Sequence, residues 1–431
     1  MSEGLWGEAW RQRRDLQGSS GAPGRLRLSR TRQSIQPVTQ PIRHTITPDV
    51  ALRARICQGR CKGLAAPRTL SNFDGITRLI PAPWRRPLHI AHREVATDAE
   101  TGDICRRMTA HDSGASAAYP GHAFARAYAP GSIGNMGPGL DILGCALTGA
   151  GDTVHARRIN DPHVIVEESG HPDIPCDASR HASAIAAAEV LRRIGERRFG
   201  VALRARKGLP LSGGQGGSSA SSIVGALATN AIFGSPLSRD ELLAAALVAE
   251  ERIAGRHIDN LAPVLFGGIL LIRSIEPLDV VRLPVPPGLR VVIVHPDMRL
   301  RTADSRAVLP AVIDRATALT QAAMVAAMVA AFYSGDLSRL RGAVNDAIAE
   351  PARAPLLPGF LAAKRAALDA GALGASISGG GPSSFALTNG DDIAARVMDA
   401  MLGAYTAHGV NATARIAQID EQGARVETSP E

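Results

Sequence analysis

Aromatic side chains are scarce in this chain and make up 3% of its 431 residues. Lysine is also rare and occurs only at Lys62, Lys207 and Lys364, so arginine carries nearly all of the positive charge. Single-stranded nucleic acids are usually bound by aromatic side chains interleaved with basic ones, and the sequence shows no such pattern. We therefore expect no nucleic-acid partner.

Cysteines are few, odd in number and without CxxC pairing: Cys57, Cys61, Cys105, Cys145 and Cys176. This pattern does not fit a disulfide framework. The stretch "CQGRC" has no second pair of ligands at the spacing of a zinc site. We predict reduced thiols.

Long apolar runs are also missing. No stretch approaches 18 consecutive uncharged apolar residues, and the N-terminal "MSEGLWGEAWRQRRDL" has no apolar signal region. We expect a cytoplasmic protein with no membrane partner. With 45% apolar residues, the chain has enough apolar surface for a sizeable core and two or three domains.

The net charge of +8 is concentrated at one end of the chain. Residues 1–107 contain far more basic than acidic side chains, and the remainder is close to neutral, as in ordinary enzymes. The first 120 residues are rich in Arg and Pro, with little periodicity. Three interpretations stay open for them: a poorly ordered extension, a basic arm that binds a partner, or a wrongly assigned start with Met108 as the true first residue.

Hydrophobic patterning changes near residue 123, where short β-type runs begin to alternate with alanine-rich segments. Helices are predicted in "HASAIAAAEVLRRIG", "SSASSIVGALATNAIF", "SRDELLAAALVAEERIAG", "TALTQAAMVAAMVAAFYSG" and "GFLAAKRAALDAG". The pattern is a mixed α+β one without strict βαβ repetition. Because "RVVIVHP" is typical of a strand that opens a second half, we predict domains at residues 121–285 and 286–431.

Six glycines and five serines lie in one stretch, "KGLPLSGGQGGSSASSIVGAL", directly before and within a predicted helix. Free backbone N–H groups and the positive end of a helix dipole together bind phosphate. A simple capped turn needs only one or two glycines and one serine. The stretch is not a Walker P-loop, because Lys207 precedes the glycines, and no acidic residue follows where a dinucleotide site needs one.

Three further stretches combine polar side chains with turn residues: "APGSIGNMGPGLDILGCAL", "VAEERIAGRHIDNLAP" and "SISGGGPSSFAL". In order and spacing, the four stretches resemble the GHMP kinase superfamily and, in detail, its homoserine kinases. The homoserine kinase patterns "PATSANLGPGFDSLGLAL" and "GLPLSGGMGSSAASA" match the first stretch and the glycine-rich stretch without gaps. "EAxVSGxHADNVAPxLLGG" and "SGAGPS" match the other two. The resemblance covers roughly residues 122–425.

This resemblance implies the GHMP kinase fold: a ribosomal-protein-S5-domain-2-like N-terminal domain and a ferredoxin-like C-terminal domain. It implies phosphorylation of the side-chain hydroxyl of L-homoserine by ATP with Mg²⁺, a step towards threonine, in an enzyme that is often a homodimer. Two alternatives stay open. One is another small-alcohol kinase of the mevalonate or shikimate type, and the other is a catalytically silent sensor with the same fold.

The resemblance also implies roles for individual residues. Substrate contacts fall to Asn135, Asp141, His257, Arg306 and Arg353. Contacts to the ATP phosphates fall to Pro210, Leu211, Ser212, Gly213, Gly214, Gln215, Gly216, Gly217, Ser218 and Ser219. Ser218 and Glu250 are expected to hold Mg²⁺. Catalytic roles fall to Asp259, Asn260 and Glu250, and the general base is left open.

The glycine-rich stretch departs from the family pattern at two points. Gly217 stands where the pattern has its first serine, while Ser218 keeps the second. Sliding the motif by one residue restores both serines but inserts a residue before the helix, so Ser219 remains an alternative to Ser218. Gln215 replaces an apolar residue, for which the sequence offers no interpretation.

Overall fold

The computed structural model describes residues 123–427, so the predictions about residues 1–120 lie outside the described part. A first sheet contains the strands β1 (Phe124–Gly134), β2 (Leu143–Ile159), β3 (Val164–Glu168), β4 (Gly200–Arg206), β5 (Ile269–Ser274), β6 (Asp279–Leu283) and β11 (Arg425–Glu427). Its order is β11-β1-β2-β4-β3, with β5 on β2 and β6 on β5. All neighbours pair antiparallel except β3 and β4, which are parallel because a helix crosses between them.

Helices cover one face of this sheet: α1 (Ala182–Ile194), α2 (Gly217–Ile232), α3 (Arg239–Ile253) and α4 (Leu261–Phe266). The helix predictions for α1, α2 and α3 are confirmed. α1 ends at Gly195 in the left-handed region. α3 begins with a capping box, in which Ser238 and Glu241 satisfy each other's backbone N–H groups.

α2 is the central helix of this half and is buried on nearly every side. It approaches α1 so closely that a Cβ at Gly225 would lie 2.5 Å from Ser183 Cα. The Ser183 hydroxyl also donates to the Ser221 carbonyl across the same contact, at 2.8 Å. Small residues therefore fix the position of α2 and of the glycine-rich loop before it.

A second sheet contains β7 (Leu289–Pro296), β8 (Gly374–Ile377), β9 (Ser384–Asn389) and β10 (Ala412–Ala417). It is antiparallel in the order β10-β7-β9-β8, the arrangement of a ferredoxin-like domain. The helices of this half are α5 (Thr302–Ala307), α6 (Arg315–Ser334), α7 (Ala349–Arg353), α8 (Phe360–Asp369) and α9 (Asp391–Ala407), with short 3-10 turns at Leu337–Leu340 and Ala354–Leu356. The predicted helices at α6 and α8 are confirmed.

The two sheets share a hydrophobic core. Ile133 and Leu143 from the first sheet are buried in one cluster with Ile293 and Phe385 from the second. The boundary proposed near residue 285 falls between β6 and β7. The chain returns across it at its end, where β11 pairs with β1.

One helix of the described part, α6, is long and apolar enough to cross a membrane by length and composition alone. Its mean hydropathy over the apolar window is 1.5, and 22% of that window is buried. Length and hydropathy are weak grounds for a membrane span, because helices of soluble proteins also meet these criteria.

Gly225→Ala is expected to destabilise the protein by about 1–3 kcal/mol, because the added methyl group pushes α1 and α2 apart. Gly403 is the matched control, because it lies in α9 with open space around it. Gly403→Ala should stabilise by about 0.5–1 kcal/mol through the lost backbone freedom of the unfolded chain. Urea unfolding measures both, and equal changes in the two variants would contradict the packing argument.

Candidate active site

A cavity of about 570 Å³ lies where the two halves meet. Its walls come from the glycine-rich loop before α2, the ends of α3 and α5, the turn before α4, and the loop after β8. This volume is within the usual range for a small-molecule site.

The glycine-rich loop joins β4 to α2. Ser212, Gly214 and Gly216 have positive φ values of 50°, 72° and 68°, which alternate along the loop. A Cβ at Gly214 would lie 2.7 Å from the Gly381 carbonyl oxygen, so a side chain does not fit there. α2 starts with no side-chain cap and no acidic residue in its first turn. A glycine-lined, uncapped helix start of this kind is suited to bind an anion.

The loop is held from both halves of the protein. The Ser378 hydroxyl donates to the Gly214 carbonyl at 2.6 Å, and the Ser383 N–H donates to the Gly213 carbonyl at 3.2 Å. From β1, the Ser132 N–H donates to the Gln215 carbonyl at 3.1 Å. The "SISGGGPSSFAL" stretch therefore supports the glycine-rich loop directly.

Glu250, near the end of α3, is 3% exposed and faces the start of α2. Its Oε1 accepts hydrogen bonds from Ser218 at 2.9 Å and Ser219 at 3.1 Å, whereas Oε2 has no partner. Burial raises the pKa of Glu250 to about 7. Ser218 is half-buried and Ser219 is 1% exposed, so Ser218 is the more accessible of the two hydroxyls.

A buried ion pair lies beneath the loop. Lys207 at the end of β4 pairs with Asp152 of β2, and both side chains are almost fully buried. The ammonium group also donates to the Gly217 carbonyl at 3.0 Å and to the Ser221 hydroxyl at 2.9 Å. Lys207 therefore fixes the first turn of α2 through these two hydrogen bonds.

The turn before α4 contacts the end of β1. Asp259 is 1% exposed, and its Oδ2 accepts from the Asn135 N–H at 2.8 Å. Burial is the main cause that raises the pKa of Asp259. Asn260 Oδ1 accepts from the Ser132 hydroxyl at 2.8 Å. The close approach requires glycine at Gly134, where a Cβ would lie 2.7 Å from Asn260 Cγ.

Asp141 and Arg306 form a bidentate ion pair, with N–O distances of 2.5 and 3.2 Å, and Arg306 lines the cavity. Asp141 has a φ of 60°, and its N–H donates to Asn135 Oδ1 at 2.8 Å. Arg353 is 2% exposed and donates to the carbonyls of Ser305 and Gly379, at 3.2 and 3.1 Å.

Comparison with known proteins assigns this geometry to a family. The model for the N-terminal domain of GHMP kinases matches residues 182–268, and that for the C-terminal domain matches residues 328–407. Homoserine kinase from Arabidopsis thaliana is 38% identical over 70% of this chain and 85% of the plant protein. Homoserine kinase from Xylella fastidiosa is 39% identical over 73% of this chain and 98% of the bacterial protein. The chain belongs to the homoserine kinase family.

A solved structure agrees with this assignment. The crystal structure of homoserine kinase from Cytophaga hutchinsonii matches with a TM-score of 0.68 and 36% identity, over 71% of this chain and 98% of that one. The predicted GHMP kinase fold, with its two α+β halves, is confirmed.

Most residues that the sequence assigned to the homoserine kinase site line this one cavity: Asn135, Pro210, Leu211, Ser212, Gly213, Gly214, Gly216, Gly217, Ser218, Ser219, Glu250, His257, Asp259, Asn260, Arg306 and Arg353. Two of the assigned residues are not part of the lining. Asp141 pairs with Arg306, which does line it, and the Gln215 side chain bonds to the C-terminal half.

Sequence reasoning assigned no role to several residues of the lining, among them the titratable side chains of Lys207 and His181. His181 is 2% exposed, and its Nδ1 has no hydrogen-bond partner. Lys207 gave one usable signal: it is a rare lysine placed directly before the glycine-rich loop of an arginine-rich chain. His181 gave none, since it stands at an ordinary helix start.

Lys207→Met is expected to destabilise the protein by about 3–5 kcal/mol, because it leaves the buried carboxylate of Asp152 without its partner. The double variant Lys207→Met/Asp152→Asn should recover most of this loss, because Asn keeps the acceptor for the Gly208 N–H without the charge. Urea unfolding of both variants and of Asp152→Asn completes the cycle. Strictly additive losses would contradict the ion-pair argument.

Glu250→Gln is expected to stabilise the fold at pH 8 by up to about 3 kcal/mol, measured in EDTA, with almost no change at pH 4.5. Burial raises the pKa of Glu250 in the folded protein to about 7, whereas the ordinary pKa of a glutamate is 4.5. Its contribution to the unfolding free energy therefore falls as the pH rises between these values. Glu251→Gln, at the exposed neighbouring position, is the control. The same pH response in both variants would rule out the burial effect.

Proposed function

We propose that this member of the homoserine kinase family transfers the γ-phosphoryl group of ATP to the side-chain hydroxyl of L-homoserine. The product is O-phospho-L-homoserine, a precursor of threonine. One observation carries the proposal: the same cavity is lined by an uncapped, glycine-lined helix start and by Arg306, the guanidinium member of an ion pair with Asp141. The first fits a polyphosphate, and the second fits a zwitterionic amino acid.

The pair Asp141 and Arg306 suits the α-amino and α-carboxylate groups of the substrate. A zwitterion replaces the internal ion pair with two external ones, so neither charged side chain loses a partner on binding. Mevalonate has a carboxylate but no ammonium group, so its binding to Arg306 would leave Asp141 unpaired. Galactose has neither charge and gains no ionic contact from the pair. The pair therefore favours homoserine over the other small alcohols.

The phosphates of ATP would lie against the N–H groups of residues 213–218, at the positive end of the α2 dipole. Ser218 and Glu250 would hold Mg²⁺, and the free Glu250 Oε2 supports this assignment. The described residues contain no cluster of three or more His, Cys, Asp or Glu side chains that binds a metal without substrate. Such a sparse set fits Mg²⁺, which usually binds through one or two carboxylates and the substrate phosphates. When bound, the ion would neutralise charge on the transferring phosphoryl group.

Phosphoryl transfer depends mainly on in-line placement and charge neutralisation, and less on covalent help from the protein. Asn135, His257 and Asn260 would orient the substrate between the glycine-rich loop and the ion pair. Asp259 is assigned to the active site, where its Oδ2 accepts a hydrogen bond from the Asn135 N–H. No proton-transfer step is assigned to it. The intact loop and Glu250 argue against a silent sensor.

The assembly and the location in the cell are also proposals. We infer a cytoplasmic enzyme without a nucleic-acid or membrane partner, in keeping with the near-neutral charge of the catalytic part. A homodimer is the assembly that the family resemblance favours.

An ADP-release assay that compares L-homoserine, mevalonate, shikimate and galactose tests the proposal. Homoserine should be the preferred acceptor, and a clear preference for another alcohol would refute the substrate assignment.

Asp141→Asn should raise the KM for homoserine about 10–100-fold with little change in the KM for ATP, because one charged contact is lost. Asn tolerates the left-handed backbone at this position. Asp399→Asn, at an exposed site in α9, should leave both constants unchanged.

A further inference from the structure

Gln215 is the only residue with a long side chain in the glycine-rich loop between Ser212 and Gly217, and it is 5% exposed. Its side chain is turned away from the cavity and towards the C-terminal half. The amide Nε2 donates to the Ser383 hydroxyl at 3.2 Å, and Oε1 accepts from Arg415 at 3.3 Å. Both ends of the amide are therefore satisfied.

These contacts belong to a longer, partly buried network. The Ser383 hydroxyl also contacts His295 Nδ1 at 3.1 Å. Burial lowers the pKa of His295, so the neutral ring can accept a hydrogen bond from this hydroxyl. On the other side, Arg415 donates to the Thr148 carbonyl at 2.6 Å. The network runs from β7 through the loop to β10 and β2, with Gln215 as its central member.

The backbone on both sides of Gln215 is intrinsically mobile, because Gly214 and Gly216 populate positive and negative φ with similar ease. Fixing one residue in a single conformation costs about 1–2 kcal/mol of entropy. A loop that is already fixed does not lose this freedom again when a ligand binds. Hydrogen bonds to the loop carbonyls do not fix the Gln215 side chain. Its amide adds two further hydrogen bonds, to Ser383 and Arg415, and these tie the loop to the C-terminal half.

We propose that Gln215 is a positioning residue for ATP: its amide holds the glycine-rich loop in the conformation that points the N–H groups of residues 213–218 at the phosphates. The inference rests on the proposed function for the identity of the ligand. It also explains why an amide stands at this position, because an apolar side chain would leave Ser383 and Arg415 without this partner.

Gln215→Met tests the inference, because methionine has a similar length and makes neither hydrogen bond. The KM for ATP should rise about tenfold, while the KM for homoserine stays within about twofold. Calorimetry with a non-hydrolysable ATP analogue, without homoserine, should show the same loss of affinity. Hydrogen exchange should become faster at the amides of residues 213–217.

Ser383→Ala removes the acceptor but leaves Gln215 in place, so it decides the matter if Gln215→Met does not fold. It should raise the KM for ATP in the same way, and the double variant should be no weaker than the weaker single one. Ser384→Ala is the matched control: Ser384 is 1% exposed, but its hydroxyl contacts Tyr405 at 3.1 Å, outside the network. It should leave the KM for ATP unchanged.

A wild-type KM for ATP in both Gln215→Met and Ser383→Ala would overturn the inference, as would an equal rise in both Michaelis constants. Failure of the proposed function looks different. In that case the wild-type protein would not phosphorylate homoserine, while binding of the ATP analogue would still depend on Gln215.

Discussion

The site depends on one constraint, the fixed start of α2. This helix is buried on nearly all sides, and its close contact with α1 at Gly225 and Ser183 leaves it no room to shift. Its first turn has no cap, which costs stability in the free protein. The same free N–H groups are suited to bind an anion. Packing of the N-terminal half therefore fixes the position of this geometry.

Around this point the protein holds charges in places that are unfavourable for stability. Glu250 is buried with one oxygen unpaired, and the ion pair of Lys207 and Asp152 lies beneath the loop. Desolvation of such groups costs several kcal/mol unless partners compensate. Lys207 and Asp152 compensate each other, so they act as structural support. Glu250 has only two hydroxyl donors, both on Oε1, so its Oε2 remains available to a ligand.

Much of this arrangement can be predicted from the sequence, and there are physical reasons why the rest cannot. Helices with strong periodicity and clear ends, such as α1 and α3, were predicted closely. The sequence patterns do not predict α9, although its first turn contains Asp391 and Asp392, because Gly390 at its N-cap provides no side-chain cap. The return of β11 to β1 was also missed, since pairing between the two ends of a domain leaves no local signal. Motifs predict residues that mostly line one cavity, but not that Lys207 binds a carboxylate 55 positions away.

Residues that depart from the family pattern also show that partners distant in the sequence cannot be predicted from it. Gln215 was uninterpretable in the sequence because its partners, Ser383 and Arg415, lie 168 and 200 positions further along the chain. Gly217, which lacks the hydroxyl of the family pattern, keeps a backbone N–H at the helix start, and its carbonyl accepts a hydrogen bond from Lys207. The sequence shows that an aspartate stands at Asp141, but it does not predict that this side chain pairs with Arg306. The sequence thus indicates which chemical groups the site contains, while the fold decides which of them meet the ligand and which hold the others in place.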